Sequence, residues 1–97
     1  MELSEIRNDL RDIKYYFSRK KIFDEGCVVT GHNLVIEKVR KYNEIIVTAK
    51  PQLYDIYVCL YIKNHTQQSL ADYFGYSYEY ICVLNKELIL FFQEKLS

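Results

Sequence analysis

A regular spacing of small and apolar residues in the C-terminal half constrains this fold most strongly. Within TQQSLADYFGYSYEYICVLNKELILFF (residues 66–92), offsets of four, six and three separate Ala71, Gly75, Ile81 and Leu84. A small residue at Ala71 lets two helices approach closely, and Gly75 can adopt the positive φ that ends a helix. Ile81 and Leu84 share one face of the following helix. The spacing predicts a helix-turn-helix, in which a short helix and a tight turn are followed by a second helix that packs across the first.

Polar residues at the expected helix starts support this motif. Thr66 and Ser77 are predicted N-caps, because a hydroxyl oxygen can accept an amide N–H of the first helical turn. Pro51 suits the first turn of a preceding helix. The apolar stripes are completed at helical spacing by Leu53, Ile56, Tyr57, Leu60, Leu70 and Phe74. These signals predict helices over 51–63, 66–74 and 77–95.

Residues 51–92 together resemble the sigma-70 region 4-like helix-turn-helix, in which a Pro-initiated apolar helix precedes L-A-x-x-F-G-Y-S-x-x-x-I-x-x-L. The upstream segments DIKYYFSRKKIFDEG and KVRKYNEII also resemble small phage-borne regulators of the RinA/ArpU late-gene type. The resemblance is good over one half of the chain and looser over the other. It implies promoter binding and transcriptional control in a phage or mobile element.

Apolar residues in the N-terminal half predict two further helices. The first, over residues 2–23, carries a heptad seam flanked by opposite charges, a pattern typical of parallel coiled coils. The seam predicts either packing against the rest of the domain or a homodimer through Leu3, Ile6, Leu10, Ile13 and Phe17. A glycine-containing polar break predicts a loop over 26–33, and helical spacing resumes over 33–49.

The chain is therefore predicted to be one all-α domain of about five helices, because 97 residues fit a single domain. Residues 1–49 would form an N-terminal helical pair, and residues 51–97 the helix-turn-helix part. Apolar residues cover more than one face of the last helix. We expect that helix to be buried on two sides, under the first helix or a second subunit.

The second helix of such a motif presents its N-terminal residues to the major groove. We expect the surface that contacts DNA or a partner to comprise Gln67, Gln68, Ser77, Tyr78, Glu79, Tyr80, Cys82, Val83 and Lys86. Phosphates would be contacted by Arg19, Lys20, Lys21, Lys38, Arg40 and Lys41. For residues 19–21 a second interpretation is equally open, because cations at a helix C-terminus also stabilise the helix.

The charge of the chain gives weaker support for DNA binding than the helix-turn-helix motif does. Lys plus Arg and Asp plus Glu are both 13, and residues 61–97 hold three lysines, four carboxylates and no arginine. Phosphate neutralisation supplies most non-specific DNA affinity, so we expect a dimer or RNA polymerase to assist promoter binding. Tyr76, Tyr78 and Tyr80 crowd the start of the second helix, and tyrosine is enriched at protein interfaces. The alternative is therefore a protein-binding module, such as a phage inhibitor or adaptor acting on a host protein.

Other classes of function find little support in the sequence. The three glycines are scattered, the histidines are isolated, and the cysteines Cys27, Cys59 and Cys82 form no metal-binding spacing. We therefore expect no enzymatic activity, cofactor or metal. The start MELSEIRNDL lacks the features of a secretion signal. The longest apolar run, 56–62, is much shorter than the roughly 20 residues of a membrane span, so a cytoplasmic protein is expected.

Overall fold

Five helices make up the described part of the protein. The computed structural model describes residues 1–19 and 32–97. The helices are α1 (Leu3–Ser18), α2 (His32–Ile46), α3 (Pro51–Tyr57), α4 (Gln67–Phe74) and α5 (Tyr78–Leu96), and α3 continues into a π-helical turn, Val58–Ile62. These residues include no strand, which confirms the predicted all-α fold with about five helices.

The N-terminal helices are shorter than predicted. α1 ends at Ser18, and the amide of Arg19 donates to the carbonyls of Tyr15 and Tyr16 in a closing turn. The predicted continuation over 20–23 lies outside the described residues. The predicted loop over 26–33 extends too far, because α2 already includes His32 and Asn33; its remaining part is also outside the described residues.

The predicted extension of α2 to residue 49 is wrong, because the chain leaves the helix after Ile46. The Thr48 hydroxyl donates to the Ile45 carbonyl at 2.7 Å, and a turn follows. Such side-chain to backbone bonds compete with helix propagation. Lys50 precedes a proline and is extended, with φ −62° and ψ 151°, as the proline ring requires. Pro51 then occupies the first turn of α3 as predicted.

The heptad seam of α1 packs inside the domain. Ile6, Leu10 and Ile13 are at most 1% exposed within the single hydrophobic core, and Leu3 and Phe17 pack against its edge. The seam therefore packs against the rest of the domain, the first of the two predicted outcomes, and a homodimer through these five residues stays a prediction. Burying them inside one chain removes them from water without a second subunit.

The last helix is buried on two sides. Leu88, Ile89 and Phe92 lie in the core, and α5 contacts all four other helices, including α1. The predicted cover by the first helix is therefore present, while Leu90 stays 44% exposed. Because α5 is held along its length by the rest of the domain, its N-terminal turns are presented on a rigid element.

Candidate nucleic-acid interface

Local hydrogen bonds define the turn between α4 and α5. The Thr66 hydroxyl accepts the amide N–H of Ser69 at 3.0 Å, and the Ser77 hydroxyl accepts that of Tyr80 at 3.2 Å. Gly75 has φ 73° and ψ 25°, the left-handed conformation that ends α4. Both N-caps and the glycine terminator therefore occupy the positions that the sequence predicts.

Apolar contacts fix the angle between the two helices. Leu70 and Ala71 of α4 and Ile81 and Leu84 of α5 are each at most 2% exposed. Phe74, which helical spacing places on the apolar stripe of α4, is only partly buried and packs at the edge of the core. The helix-turn-helix is thus present as an α4–α5 pair with a closed apolar interior.

One face of the first turns of α5 is open to solvent. Tyr78 is 45% exposed and Val83 59% exposed, and the side chains of Ser77, Glu79 and Lys86 are also exposed. Among the described residues, no opposite charge lies within ion-pair distance of Glu79 or Lys86. We call these five residues the α5 ridge; all of them belong to the predicted DNA- or partner-contacting set.

The other members of that set make contacts within the protein. The Cys82 thiol donates to the Gln67 side-chain carbonyl at 3.0 Å, linking α5 to α4. Gln68 is exposed on α4 and donates to Asp72 at 3.1 Å. Tyr80 is 40% exposed, but its hydroxyl accepts a 3.1 Å hydrogen bond from the Gln52 amide of α3. These side chains therefore position the ridge or lie beside it.

One of the predicted phosphate contacts, Lys38, makes ion pairs within the protein. Lys38 lies 2.9 Å from an Asp12 oxygen and 3.3 Å from an Asp9 oxygen. The hydrogen bond to Asp12 is the largest cause of the raised pKa of Lys38. These two carboxylates compensate the charge of the ammonium group, so Lys38 joins α2 to α1, and its role as a phosphate contact stays a prediction.

Arg40 and Lys41 are exposed on α2, where they line a shallow depression of about 490 Å³ together with Glu37, Lys38 and Glu44.

The remaining predicted phosphate contacts lie at and after the end of α1. The guanidinium of Arg19 lies 5.6 Å from the centre of the Tyr15 ring. Lys20 and Lys21 lie outside the described residues. The basic residues available for phosphate contact are therefore few, and they alternate with carboxylates on α2.

Sequence reasoning missed two features next to the α5 ridge. Lys50 pairs with Glu87 at 2.6 Å and so neutralises one of the carboxylates of α5. A cleft of about 270 Å³ lies between α3 and the α4–α5 turn, lined by Gln52, Asp55, Ile56, Phe74 and Tyr76. Asp55 and Ile56 follow Gln52 by three and four residues. This spacing is the only feature of the sequence that places these three residues on one helical face.

Comparisons with protein-family models, with curated proteins and with solved structures give no match for this chain.

None of the described helices combines the length and apolar character needed to cross a membrane. Across residues 1–19 and 32–97, no three His, Cys, Asp or Glu side chains converge as metal ligands would. A function is therefore inferred from the helix-turn-helix and the side chains that surround it.

Proposed function

We propose that this protein is a small transcription regulator that binds double-stranded DNA through its helix-turn-helix, with the N-terminal half of α5 in the major groove. The observation that carries the proposal is the two-sided character of α5: Ile81 and Leu84 are buried, while the α5 ridge is exposed. In proteins with this motif, the N-terminal residues of the second helix reach the base edges.

The chemistry of the ridge fits the major groove. Lys86 can donate to guanine O6 and N7, and Glu79 can accept from the cytosine amino group. Val83 offers an apolar surface for a thymine methyl group. Ser77 and Tyr78 carry hydroxyl groups at the start of the helix, where they can bond to phosphate oxygens.

The charges around the ridge limit the affinity of one copy. Among the described residues neither Lys86 nor Glu79 has an ion-pair partner, whereas Lys50 is neutralised by Glu87. With about two phosphate contacts, the logarithm of affinity would fall with the logarithm of salt concentration at a slope of about −2, because each contact contributes roughly −0.9. We therefore include RNA polymerase or a second DNA-bound copy in the proposal, as a source of additional contacts.

The test is selection of sequences from a randomised duplex library at low salt, followed by mobility shifts on the enriched duplex. Lys86→Glu places a negative charge in the groove and should abolish the shift. Lys95→Glu is the matched control, since it makes the same charge change at the far end of α5. Circular dichroism should show that both variants keep their helix content.

Two results would contradict the proposal. Failure to enrich any sequence over the starting library would argue against sequence-specific binding. Equal loss of binding in Lys86→Glu and Lys95→Glu would mean that the ridge does not enter the groove and that only total charge matters.

A second candidate function is supported by the exposed aromatic rings. Tyr78 and Tyr80 are 45% and 40% exposed beside Val83, a composition typical of protein interfaces. As a phage inhibitor or adaptor, the protein would capture a host protein through these residues. The complex should survive nuclease treatment and be lost in Tyr78→Ala, and dispersal by nuclease would favour the DNA proposal.

A further inference from the structure

We propose that the cleft between α3 and the α4–α5 turn binds an arginine side chain of a partner protein. At about 270 Å³, this cleft is smaller than the roughly 300–1,000 Å³ of typical small-molecule sites. Its size therefore fits a single inserted side chain. The site lies beside the α5 ridge and does not depend on what the ridge binds.

The walls of the cleft are held by contacts between helices. Ile56, which is 1% exposed, lines it together with Gln52 and Asp55 from the same face of α3. The Phe74 and Tyr76 rings have their centroids 5.7 Å apart at 37°. Tyr80 packs edge-on to Tyr76 at 5.0 Å and accepts the hydrogen bond from Gln52. That hydrogen bond connects the two sides, so the cleft has a defined shape.

The chemistry of the lining selects a planar cation. Asp55 is exposed, and no Lys or Arg of the described residues lies within ion-pair distance of its carboxylate. The rings of Phe74 and Tyr76 line the cleft together with Asp55, and the face of an aromatic ring carries partial negative charge. A guanidinium can stack on such a ring while it donates two hydrogen bonds to a carboxylate, which an ammonium group cannot do in the same geometry.

The same lining disfavours other occupants. A phosphate or a carboxylate would be repelled by Asp55, and a purely apolar side chain would leave that carboxylate without a partner. The described surface of the cleft contributes no cation that could compensate an anion. The complementary ligand is therefore an exposed arginine on the surface of another protein.

The experiment is an NMR titration of the full chain with the blocked peptide acetyl-Gly-Arg-Gly-amide. The control peptides replace arginine by citrulline, which keeps the shape without the charge, or by lysine. We expect saturable shifts of the Gln52, Asp55, Phe74 and Tyr76 amides with the arginine peptide, a weaker response to lysine and none to citrulline.

Asp55→Asn should weaken arginine-peptide binding by about threefold or more, in the range of a partly exposed ion pair. Glu94→Gln, which neutralises an exposed carboxylate near the C-terminus of α5, should leave it unchanged. The proposal would be overturned if the citrulline peptide gave the same shifts as the arginine peptide, or if the lysine peptide bound with equal affinity. Shifts confined to residues outside the cleft, or unchanged arginine-peptide binding in Asp55→Asn, would overturn it as well. If Asp55→Asn leaves the affinity for DNA unchanged, the arginine site is independent of the DNA-binding helix. Failure of one proposal then does not affect the other.

Discussion

The hydroxyl of Tyr42 donates a 2.7 Å hydrogen bond to the carboxylate of Asp9, although the Tyr42 side chain is fully buried. The bond connects α2 to α1, and the Tyr42 ring packs on Phe92 of α5 with centroids 4.7 Å apart. Lys38, one turn earlier in α2, reaches the same carboxylate. Tyr42 therefore joins three helices, α1, α2 and α5. Because α5 is also the second helix of the helix-turn-helix, these contacts hold the motif against the N-terminal helices.

Tyr42→Phe should lower the free energy of unfolding by about 1.5 kcal/mol, the low end for a hydrogen bond to a charged group, because Asp9 keeps Lys38 as a partner. Tyr57→Phe is the control: its hydroxyl donates to the neutral amide of Asn43 at 2.7 Å, and its loss should cost about 1 kcal/mol. Urea denaturation measures both. A larger effect at Tyr57 than at Tyr42 would contradict this account of the helix junction.

Two buried tyrosines and the partly buried Tyr61 predict a loss of stability at alkaline pH. Burial raises the pKa of Tyr61 to about 12, against smaller opposing effects of its hydrogen bond to Asn85 and of Arg7. Burial also raises the pKa values of Tyr42 and Tyr57. A phenol that stays neutral when folded and ionises when unfolded contributes stability below the unfolded pKa of about 10, and that contribution is lost as pH rises through the folded pKa.

The urea midpoint should therefore fall as pH rises above about 10, and Tyr61→Phe should make the decline shallower. Tyr73→Phe is the matched control, since Tyr73 is 73% exposed. A midpoint that stays constant through this range would contradict the assignment of these three tyrosines as groups that stay neutral in the folded protein.

Gly75→Ala should destabilise the protein by about 1 kcal/mol, the cost of the left-handed conformation for a residue with a Cβ. A Cβ at this position would meet no atom within 4 Å, so the cost comes from the backbone alone. Gly75→Asn should lose less, because asparagine tolerates this conformation. Thermal denaturation of the two variants checks the order, and an equal loss in both would point to a different cause.

Lys38 and Arg40 should respond differently to the same change. Lys38→Met removes the link to Asp9 and Asp12 and should cost about 0.5–1 kcal/mol of stability, less at high salt. Arg40→Met should leave stability nearly unchanged, because Arg40 is exposed and has no ion-pair partner among the described residues. Urea denaturation at two salt concentrations tests both. If Arg40→Met proved the more costly, the division of the basic residues given above would be wrong.

Much of the helix-turn-helix could be predicted from the sequence because its signals are local. The hydroxyls of Thr66 and Ser77 cap amides three residues ahead, and Gly75 ends α4 through its own backbone conformation. Pro51 starts α3 for the same kind of reason. By contrast, the sequence places the end of α2 too late, because helical spacing continues past Ile46 to residue 49 although the helix ends at Ile46.

The surface around the motif could not be predicted in the same way. The sequence predicts Lys38 as a phosphate contact, and only the packing of α2 against α1 brings Asp9 and Asp12 beside it. Phe74 fits the apolar stripe of α4, but its position at the edge of the core depends on how α3 packs. The partner of the α1 seam was open for the same reason, because a stripe of apolar residues specifies burial and not what covers it.

Interactions among residues within one helical turn account for the helices, their caps and the left-handed glycine, and such residues are adjacent in the sequence. Other contacts join residues that are far apart in the chain. They are the ion pair of Lys50 with Glu87, the hydrogen bond of Gln52 with Tyr80 and the burial of the α1 seam. Their formation depends on how the helices cross, which apolar periodicity leaves open. Those long-range contacts determine which side chains of α5 and of the neighbouring cleft remain available to a partner.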